Sequence, residues 1–496
     1  MDILLATINA KWIHPSLALR LLKTNLGSLE NTCEIIEFAL RQPLEEKVQP
    51  IIAARPRILA LSISIWNHLQ TLELLKVLYT AWQQTQKPIV VLGGPEVSWL
   101  PEDAEIFHYA DYVIRGEGEE SFHSLCLELL GDGQPTGTDE GKYGNTVFIN
   151  RGSTIVDVNK TETAYRLYTD EDLGKKLVYV EASRGCPFGC EFCQASLRRD
   201  SGTLGVSEFP VRNFPIEAFL ADMETLLKRG AKTFKFLDRT FNLDIERAMR
   251  IMGFFLERIE EAKTRQEKPP IVHFEMVPSR FPPEMREIIR RFPPGTLRLE
   301  IGIQTLNPET SSLIHRAGDV EGSIEVLEFL RRETNAILHV DLIAGLPGED
   351  LSSFGAGFDR LWRALSGAGG TRQLSEKANG TTCEIQLGIL KCLPGTPIAR
   401  HNETHGMRYS SEPPYEVIET GVLSKAELDR IKNFARFWEL IVNRNAFPAL
   451  IKRIFLPGEP AFGSFMRLSD RLLGHFGRNW GIGRKELKAW LEETFP

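Results

Sequence analysis

The chain has 496 residues, 42% of them apolar and 25% charged, with a net charge of -7. This is globular composition with room for two or three domains, each burying its own core. No basic excess exists to hold a polyanion independently of sequence, so nucleic acid is disfavoured as the main partner. Apolar runs such as Ile58 to Ile65 fall well short of the ~20 residues that a membrane span requires, so no span is predicted.

The N-terminus opens directly into a strand, Met1-Asp-Ile-Leu-Leu-Ala, with no basic region and cleavage site, which predicts a cytoplasmic chain. From Met1 to Gly131, short β-branched runs alternate with helix-period segments, the pattern of βαβ units around a parallel sheet. Strands are predicted at Asp2–Thr7, Cys33–Phe38, Ile58–Ser64, Pro88–Leu92 and Asp111–Ile114, and helices at Ser16–Leu26, Leu69–Trp82 and Glu119–Leu130. Five such strands in a doubly wound, flavodoxin-like sheet take the order 2-1-3-4-5, which puts a ligand crevice at the carboxyl ends of strands 1 and 3. The loops holding Asn9 and His14, and Trp66 and Asn67, then face one another. Further glycine-bearing loops follow strands 4 and 5, with Gly93, Gly94 and Glu96 in one and Gly116 and Gly118 in the other. Glycine there lets a backbone approach a ligand closely, although turns after parallel strands demand glycine anyway. No G-x-G-x-x-G follows strand 1 and no phosphate-binding G-x-x-x-x-G-K-[ST] occurs, so dinucleotide and nucleoside triphosphate readings lose their main support.

Residues 132–175 change texture, with a Gly-, Asp- and Thr-rich stretch and then a hairpin predicted at Asn145–Val158. They read as a linker between a first domain, 1–131, and a second, 176–400.

The strongest signal follows an apolar strand at Leu177–Ala182. Cys186, Cys190 and Cys193 form a C-x3-C-x2-C loop with Gly185, Pro187 and Gly189. A [4Fe-4S] cluster takes four thiolates, so three leave one iron open to an exchangeable ligand. A structural zinc site would want a fourth Cys or His close by, and none lies within twenty residues on either side. The remaining cysteines, Cys33, Cys126, Cys383 and Cys392, read as small packed residues.

These cysteines resemble the cluster loop of the radical S-adenosylmethionine (SAM) enzymes. The resemblance continues through strands at Thr233–Leu237, Ile271–Met276, Leu297–Ile303, Leu338–Ile343 and Glu384–Leu390, with helices such as Pro215–Lys228 and Asp244–Lys263. With the strand before the loop they make six βα units, as in that superfamily's open partial (β/α)6 barrel. It implies that Phe192 packs on the adenine of SAM and that Asp238, Glu300 and Gln304 make polar contacts to it. Gly345 falls in a turn beneath the adenine, and Leu393-Pro-Gly395-Thr-Pro397 matches the turn after the last strand. A flavodoxin-like domain before such a barrel resembles the cobalamin-binding members. Asn9, His14, Trp66, Asn67, Gly93, Gly94, Glu96, Gly116 and Gly118 are then the candidate cobalamin contacts. No D-x-H-x-x-G is present to offer cobalt a histidine, so the cofactor would sit with its base displaced over Ile65, Trp66 or Asn67.

The last part, 401–496, resembles an uncharacterised extension of one subgroup. Ser424-Lys-Ala-Glu427 is a capping box opening a helix to about Asn443, in which Phe434, Phe437, Trp438 and Ile441 share a face. Core packing is the default for that stripe, though aromatics near a barrel mouth could cover substrate. Further helices are predicted at Phe465–His475 and Arg484–Thr494.

The resemblance implies three cofactors: a [4Fe-4S] cluster, SAM and cobalamin. The implied activity is reductive cleavage of SAM to a 5'-deoxyadenosyl radical and methylation of an unactivated carbon of a small metabolite, with an electron donor such as flavodoxin or ferredoxin. Radical rearrangement or cyclisation, and a non-catalytic redox or cobalamin sensor, are the alternatives. A methylthiotransferase is disfavoured because residues 1–131 hold only Cys33 and Cys126, too few for a second three-cysteine cluster. No general base is assigned.

Overall fold

The computed structural model describes residues 1–84, 86–131, 140–149, 155–196, 211–316, 318–366, 383–455 and 458–495. Strands β1 (Ile3–Asn9), β2 (Cys33–Ala39), β3 (Ile58–Ser62), β4 (Ile89–Gly93) and β5 (Tyr112–Ile114) run parallel in the order 2-1-3-4-5. This is the order read from the sequence. Helices α1 (Leu17–Thr24), α2 (Leu44–Ala54), α3 (His68–Trp82) and α4 (Glu119–Leu130) accompany them. Because apolar clusters form on both faces of the sheet, β1 is buried without interruption from Ile3 to Ile8.

Two features depart from expectation. Helix α2 has no counterpart in the sequence reading: Pro50 lies inside it, and an interior proline removes a donor and crowds the preceding turn. The hairpin falls earlier than Asn145–Val158, as β6 (Glu140–Tyr143) and β7 (Thr146–Ile149), turning at Gly144 in the left-handed region. It is also no free linker, since β7 pairs parallel with β5 and widens the sheet to seven strands. The rest of that stretch, 132–139 and 150–154, lies outside the described residues.

The second sheet is six parallel strands in chain order: β8 (Val178–Val180), β9 (Thr233–Phe236), β10 (Ile271–Met276), β11 (Leu297–Gln304), β12 (Ile337–Ala344) and β13 (Cys383–Ile389). Helices α5 (Ile216–Lys228), α6 (Ile245–Thr264), α7 (Pro283–Arg291), α8 (Val320–Glu333) and α9 (Leu351–Ser366) pack outside it. Here burial alternates strictly along β11 and β12. Leu299 and Ile301 face the helices, while Arg298 and Glu300 face the lumen. The lumen is charged: Glu300 meets Lys235 at 3.2 Å and His273 at 3.1 Å, and Glu384 meets His339 at 3.0 Å and Arg298 at 3.2 Å.

Beyond β13, a short antiparallel pair, Arg408–Tyr409 with Val417–Glu419, leads into α10 (Lys425–Trp438), α11 (Pro448–Ile454), α12 (Ala461–Phe476) and α13 (Arg484–Thr494). The Ser424 capping box is present, and α10 runs on through a wider turn to Asn443. Phe434, Phe437, Trp438 and Ile441 are wholly buried, with the Trp438 ring 4.8 Å from Phe358 of α9. The stripe is therefore core on the outside of the barrel and covers no substrate. No helix among the described residues is long and apolar enough to cross a membrane.

Candidate functional site

The cysteine loop leaves β8 at the carboxyl end of the barrel strands, the end at which barrels of this kind carry their chemistry. Gly185, at φ +108, turns the chain into it. Cys186, Cys190 and Cys193 line one cavity with Phe192, Gln304 and Arg316. Glu191, between the second and third cysteines, seats the loop. Its N–H donates to the Ile314 carbonyl, its carbonyl accepts from Ile398, and its buried carboxylate accepts from His401 Nε2 at 2.9 Å. His315 lies 3.1 Å from the same carboxylate, and Arg400 also pairs with it.

Burial pushes the Cys186 thiol up to about 11 and raises that of Cys193 as well. Soft thiols in such a setting ionise when a metal supplies the positive charge. Arg316 adds a fixed cation: Nη1 is 3.5 Å from Cys190 Sγ, and Nη2 donates to the Gly302 carbonyl. Gln304 sits at φ +69 beside a register shift between β11 and β12, a strained position of the kind found where a side chain is held for use. Glu275 faces the same cavity with Arg239 at 3.6 Å; burial raises its carboxyl to about 7 against that neighbour. Thiol donors, a cation and polar groups at one mouth suit a cluster with an open corner and a zwitterionic ligand.

A second cavity, of about 540 Å3, opens between the N-terminal sheet and the barrel. Its deep end is apolar, lined by Leu5, Ala18, Ala60, Val91 and Phe122, and Gly93, Gly94, Gly116 and Gly118 edge it. At Gly94, with φ +107, a Cβ would lie 2.5 Å from the Ile63 carbonyl oxygen, so the turn admits only glycine. An apolar slot beneath glycine turns fits an inserted aromatic base better than a free polar nucleotide. The two cavities share Ala195 and Arg239 in their walls.

Residues 180–360 match the family model described as the radical SAM superfamily, residues 3–125 the B12 binding domain, and residues 403–481 a protein of unknown function, DUF4080. The chain therefore carries a radical SAM domain and a B12-binding domain. It is similar to the cobalamin-dependent radical SAM methyltransferase TokK of Streptomyces tokunonensis, 26% identical over 40% of this chain and 30% of that protein. It is also similar to the uncharacterized methyltransferase PH0819 of Pyrococcus horikoshii, 32% identical over 33% of this chain and 36% of that one. The chain thus spans about a third of the length of these curated relatives. Among solved structures, the radical SAM methyltransferase TsrM of Kitasatospora setae, with tryptophan and a SAM analogue bound, superposes over 99% of both chains with a TM-score of 0.61 at 16% identity. The cobalamin-dependent enzyme OxsB, with aqua-cobalamin bound, covers 98% of this chain and 77% of its own, with a TM-score of 0.63 at 15% identity.

Several of the anticipated contact residues have partners within the fold. Asp238 is buried, accepting from Ala182 N–H at 3.0 Å and Ser183 Oγ–H at 2.5 Å. Its carboxyl rises to about 7 through burial, and it braces the root of the cysteine loop from below. Glu300 belongs to the lumen, not the cluster cavity; its hydrogen bond from His273, which outweighs burial, holds it at about 2. Gly345 is left-handed because a Cβ would lie 2.5 Å from Val417 Cγ1, so it serves the C-terminal extension.

On the cobalamin side, Asn9 donates to Glu37 at 3.0 Å, and Asn67 ties the Ser64 N–H to the Ile8 carbonyl. His14 bonds Tyr179 at 2.8 Å, and Glu96 is buried between His68 at 2.9 Å and Tyr415 at 2.6 Å. These side chains hold the loops in place and do not line the cavity. Trp66, half-exposed at the end of β3, donates Nε1–H to the Ile8 carbonyl. Phe192 and Gln304 line the first cavity, and Gly93, Gly94, Gly116 and Gly118 line the second. Arg316, Arg239, Glu275 and Glu191 went unread, because nothing in their local spacing marks a charge whose partners lie on other strands.

Proposed function

We propose that the protein is a cobalamin-dependent radical SAM methyltransferase acting on a small molecule. The observation that carries this is the common wall of the two cavities: a thiol-lined mouth and an apolar slot adjoin at Ala195 and Arg239, so two cofactors can reach one substrate. Cys186, Cys190 and Cys193 would hold a [4Fe-4S] cluster. Arg316, Gln304 and Glu275 would orient SAM at its open corner, with Phe192 against the adenine. Gly93, Gly94, Gly116 and Gly118 would admit the cobalamin tail, with Trp66 under the corrin.

When bound, the cluster and cobalamin would supply electron transfer and methyl transfer, with SAM as the source of the radical. The chain's own work is positioning and the exclusion of water. Methylation is favoured over rearrangement because TokK and TsrM are methyltransferases by name. A one-electron donor of the flavodoxin or ferredoxin kind and a cytoplasmic setting suit the reduced thiols. The functional division is then a cobalamin part, 1–131 with its hairpin, the barrel at 176–400 and the extension at 401–496.

Anaerobic reconstitution tests the proposal. The expected product holds about four irons, absorbs as bound cobalamin and releases 5'-deoxyadenosine from SAM on reduction. Alanine at the three cysteines should abolish the iron and the cleavage but leave cobalamin. Zinc in the loop, or cleavage that survives without the cysteines, would overturn it.

A further inference from the structure

Arg184 stands two residues before Cys186, on the short strand Ser183–Arg184 that pairs with Arg212–Asn213. Its guanidinium meets three carboxylates: Glu181 through Nε and Nη2 at 3.0 and 2.9 Å, Glu119 at 2.9 Å and Glu117 at 3.4 Å. Glu117 is itself forked by Arg212 and accepts the Val156 N–H at 2.9 Å. Glu117 comes from the glycine-bearing loop after β5 and Glu119 opens α4, both beside the N-terminal sheet; Arg184, Arg212 and Glu181 come from the barrel side. The side chains of Arg184 and Glu119 are 14% and 8% exposed, so this is a desolvated ion cluster across a domain boundary.

Buried ion pairs add little net stability against apolar packing, but their geometry is demanding, and removing one partner leaves an uncompensated charge. Such a cluster fixes register better than it stabilises. Burial would raise the Glu117 carboxyl, yet Arg212 and Arg184 hold it below the ordinary carboxylate range, so it stays charged for both. Glu117, Glu119, Glu181 and Arg184 also form part of the interdomain cavity wall. The arrangement is therefore a fixed contact between the slot of one domain and the root of the cysteine loop of the other.

We propose that Glu117 and Glu119 are positioning residues for the cysteine loop, holding it through Arg184 from the neighbouring domain. The inference rests on the reading of Cys186, Cys190 and Cys193 as cluster ligands, and its test separates the two. The full chain carrying Glu117→Gln with Glu119→Gln is compared with wild type. In cluster-free protein, backbone amides of residues 183–193 should exchange roughly tenfold faster in the variant, the size of a modest coupling between sites, while those of β3 and β12 are unchanged. After anaerobic reconstitution, iron content should match wild type, and the electron paramagnetic resonance spectrum of the reduced cluster with SAM should change. A merely structural role would lower the yield of folded protein and leave the spectrum of the remainder alone.

Should the double variant not fold, Arg184→Lys keeps the charge and loses the fork. It is expected to speed the same amides by about threefold, a fraction of that coupling. Equal exchange and superimposable spectra overturn the proposal. A wild type that takes up no cluster overturns the cofactor reading instead, and the amide comparison still decides whether the acids hold the loop.

Discussion

The two parallel sheets of this chain share a rule of construction and use it in opposite ways. In the N-terminal sheet, β1 is buried along both faces, and the crevice at its strand ends is an apolar slot edged by glycine. In the barrel, every second residue of β11 and β12 turns inward, and among these are the ionisable side chains of Arg298, Glu300, His339 and Asp341. Parallel strands place both sites at their carboxyl ends. The first region selects by shape and desolvation, the second by thiols and ion pairs. A perturbation of volume should therefore strike one and a perturbation of charge the other.

The largest effect expected is from volume. Ala60 lines the slot and is buried, so Ala60→Phe fills space meant for a ligand. Overpacking of about 3 kcal/mol would weaken cobalamin binding by about 100-fold in a spectroscopic titration while the barrel still takes up iron. A parallel loss of iron would break the separation of the two regions.

Next is a pair of glycines that differ only in surroundings. Gly94→Ala sets a methyl against the Ile63 backbone at 2.5 Å, whereas Gly230, at φ +93 in the barrel, has nothing within 4 Å of its Cβ position. Backbone strain alone costs about 1 kcal/mol, so Gly230→Ala should lower the denaturant-derived stability by that amount. Gly94→Ala should roughly double the loss, to about 2 kcal/mol, because the obstacle is main chain and cannot swing aside.

These contrasts also explain what could be read from sequence. Strand order, the alternation along the barrel strands and the three-cysteine spacing are local or periodic, and each was legible. The partners of Asp238 and Glu300 were not legible, because Ser183 and His273 lie tens of residues away and a carboxylate on a barrel strand looks alike whether it braces a loop or meets a ligand. Pro50 hid α2, since local propensity argued against a helix that tertiary packing supplies. Arg316 and Glu191 became visible only once Gly302, His401 and Arg400 were brought beside them.

Charge should show as pH dependence in the barrel. Burial would lower His339, but its hydrogen bonds to Asp341 and Glu384 prevail and raise it to about 10. Since the folded value exceeds the unfolded 6.5, its contribution is complete below about pH 6.5 and disappears as pH climbs through about 10. Glu300, held at about 2, contributes above its ordinary 4.5 and loses that as pH falls through 2. Denaturant-derived stability should decline by about 1–2 kcal/mol between pH 7 and pH 10, and His339→Gln should flatten that slope. A slope unchanged in the variant would mean that the lumen charges are screened more than their burial suggests.

The smallest effect concerns how each sheet ends. Both have an edge that would otherwise present unpaired backbone groups to other chains. The N-terminal sheet closes one edge with more strand, adding β7 beside β5 and β6 beside that. The barrel ends at β13, and there a side chain pairs with the strand's backbone: Asn443 accepts the Ile385 N–H at 3.1 Å and donates to the Ile385 carbonyl at 3.0 Å. It comes from the wider turn that continues α10, so it adds a side-chain tie to the main-chain bond that Val417 N–H gives the Leu390 carbonyl at 2.9 Å. Asn443→Ala removes two hydrogen bonds at a half-buried position where water can partly replace them, a loss of about 1 kcal/mol. The sharper readout is exchange of the Ile385 amide, which should quicken by about fivefold while β7 is unaffected. Equal protection would mean that α10 covers the edge by packing alone, and the amide pairing would then be incidental.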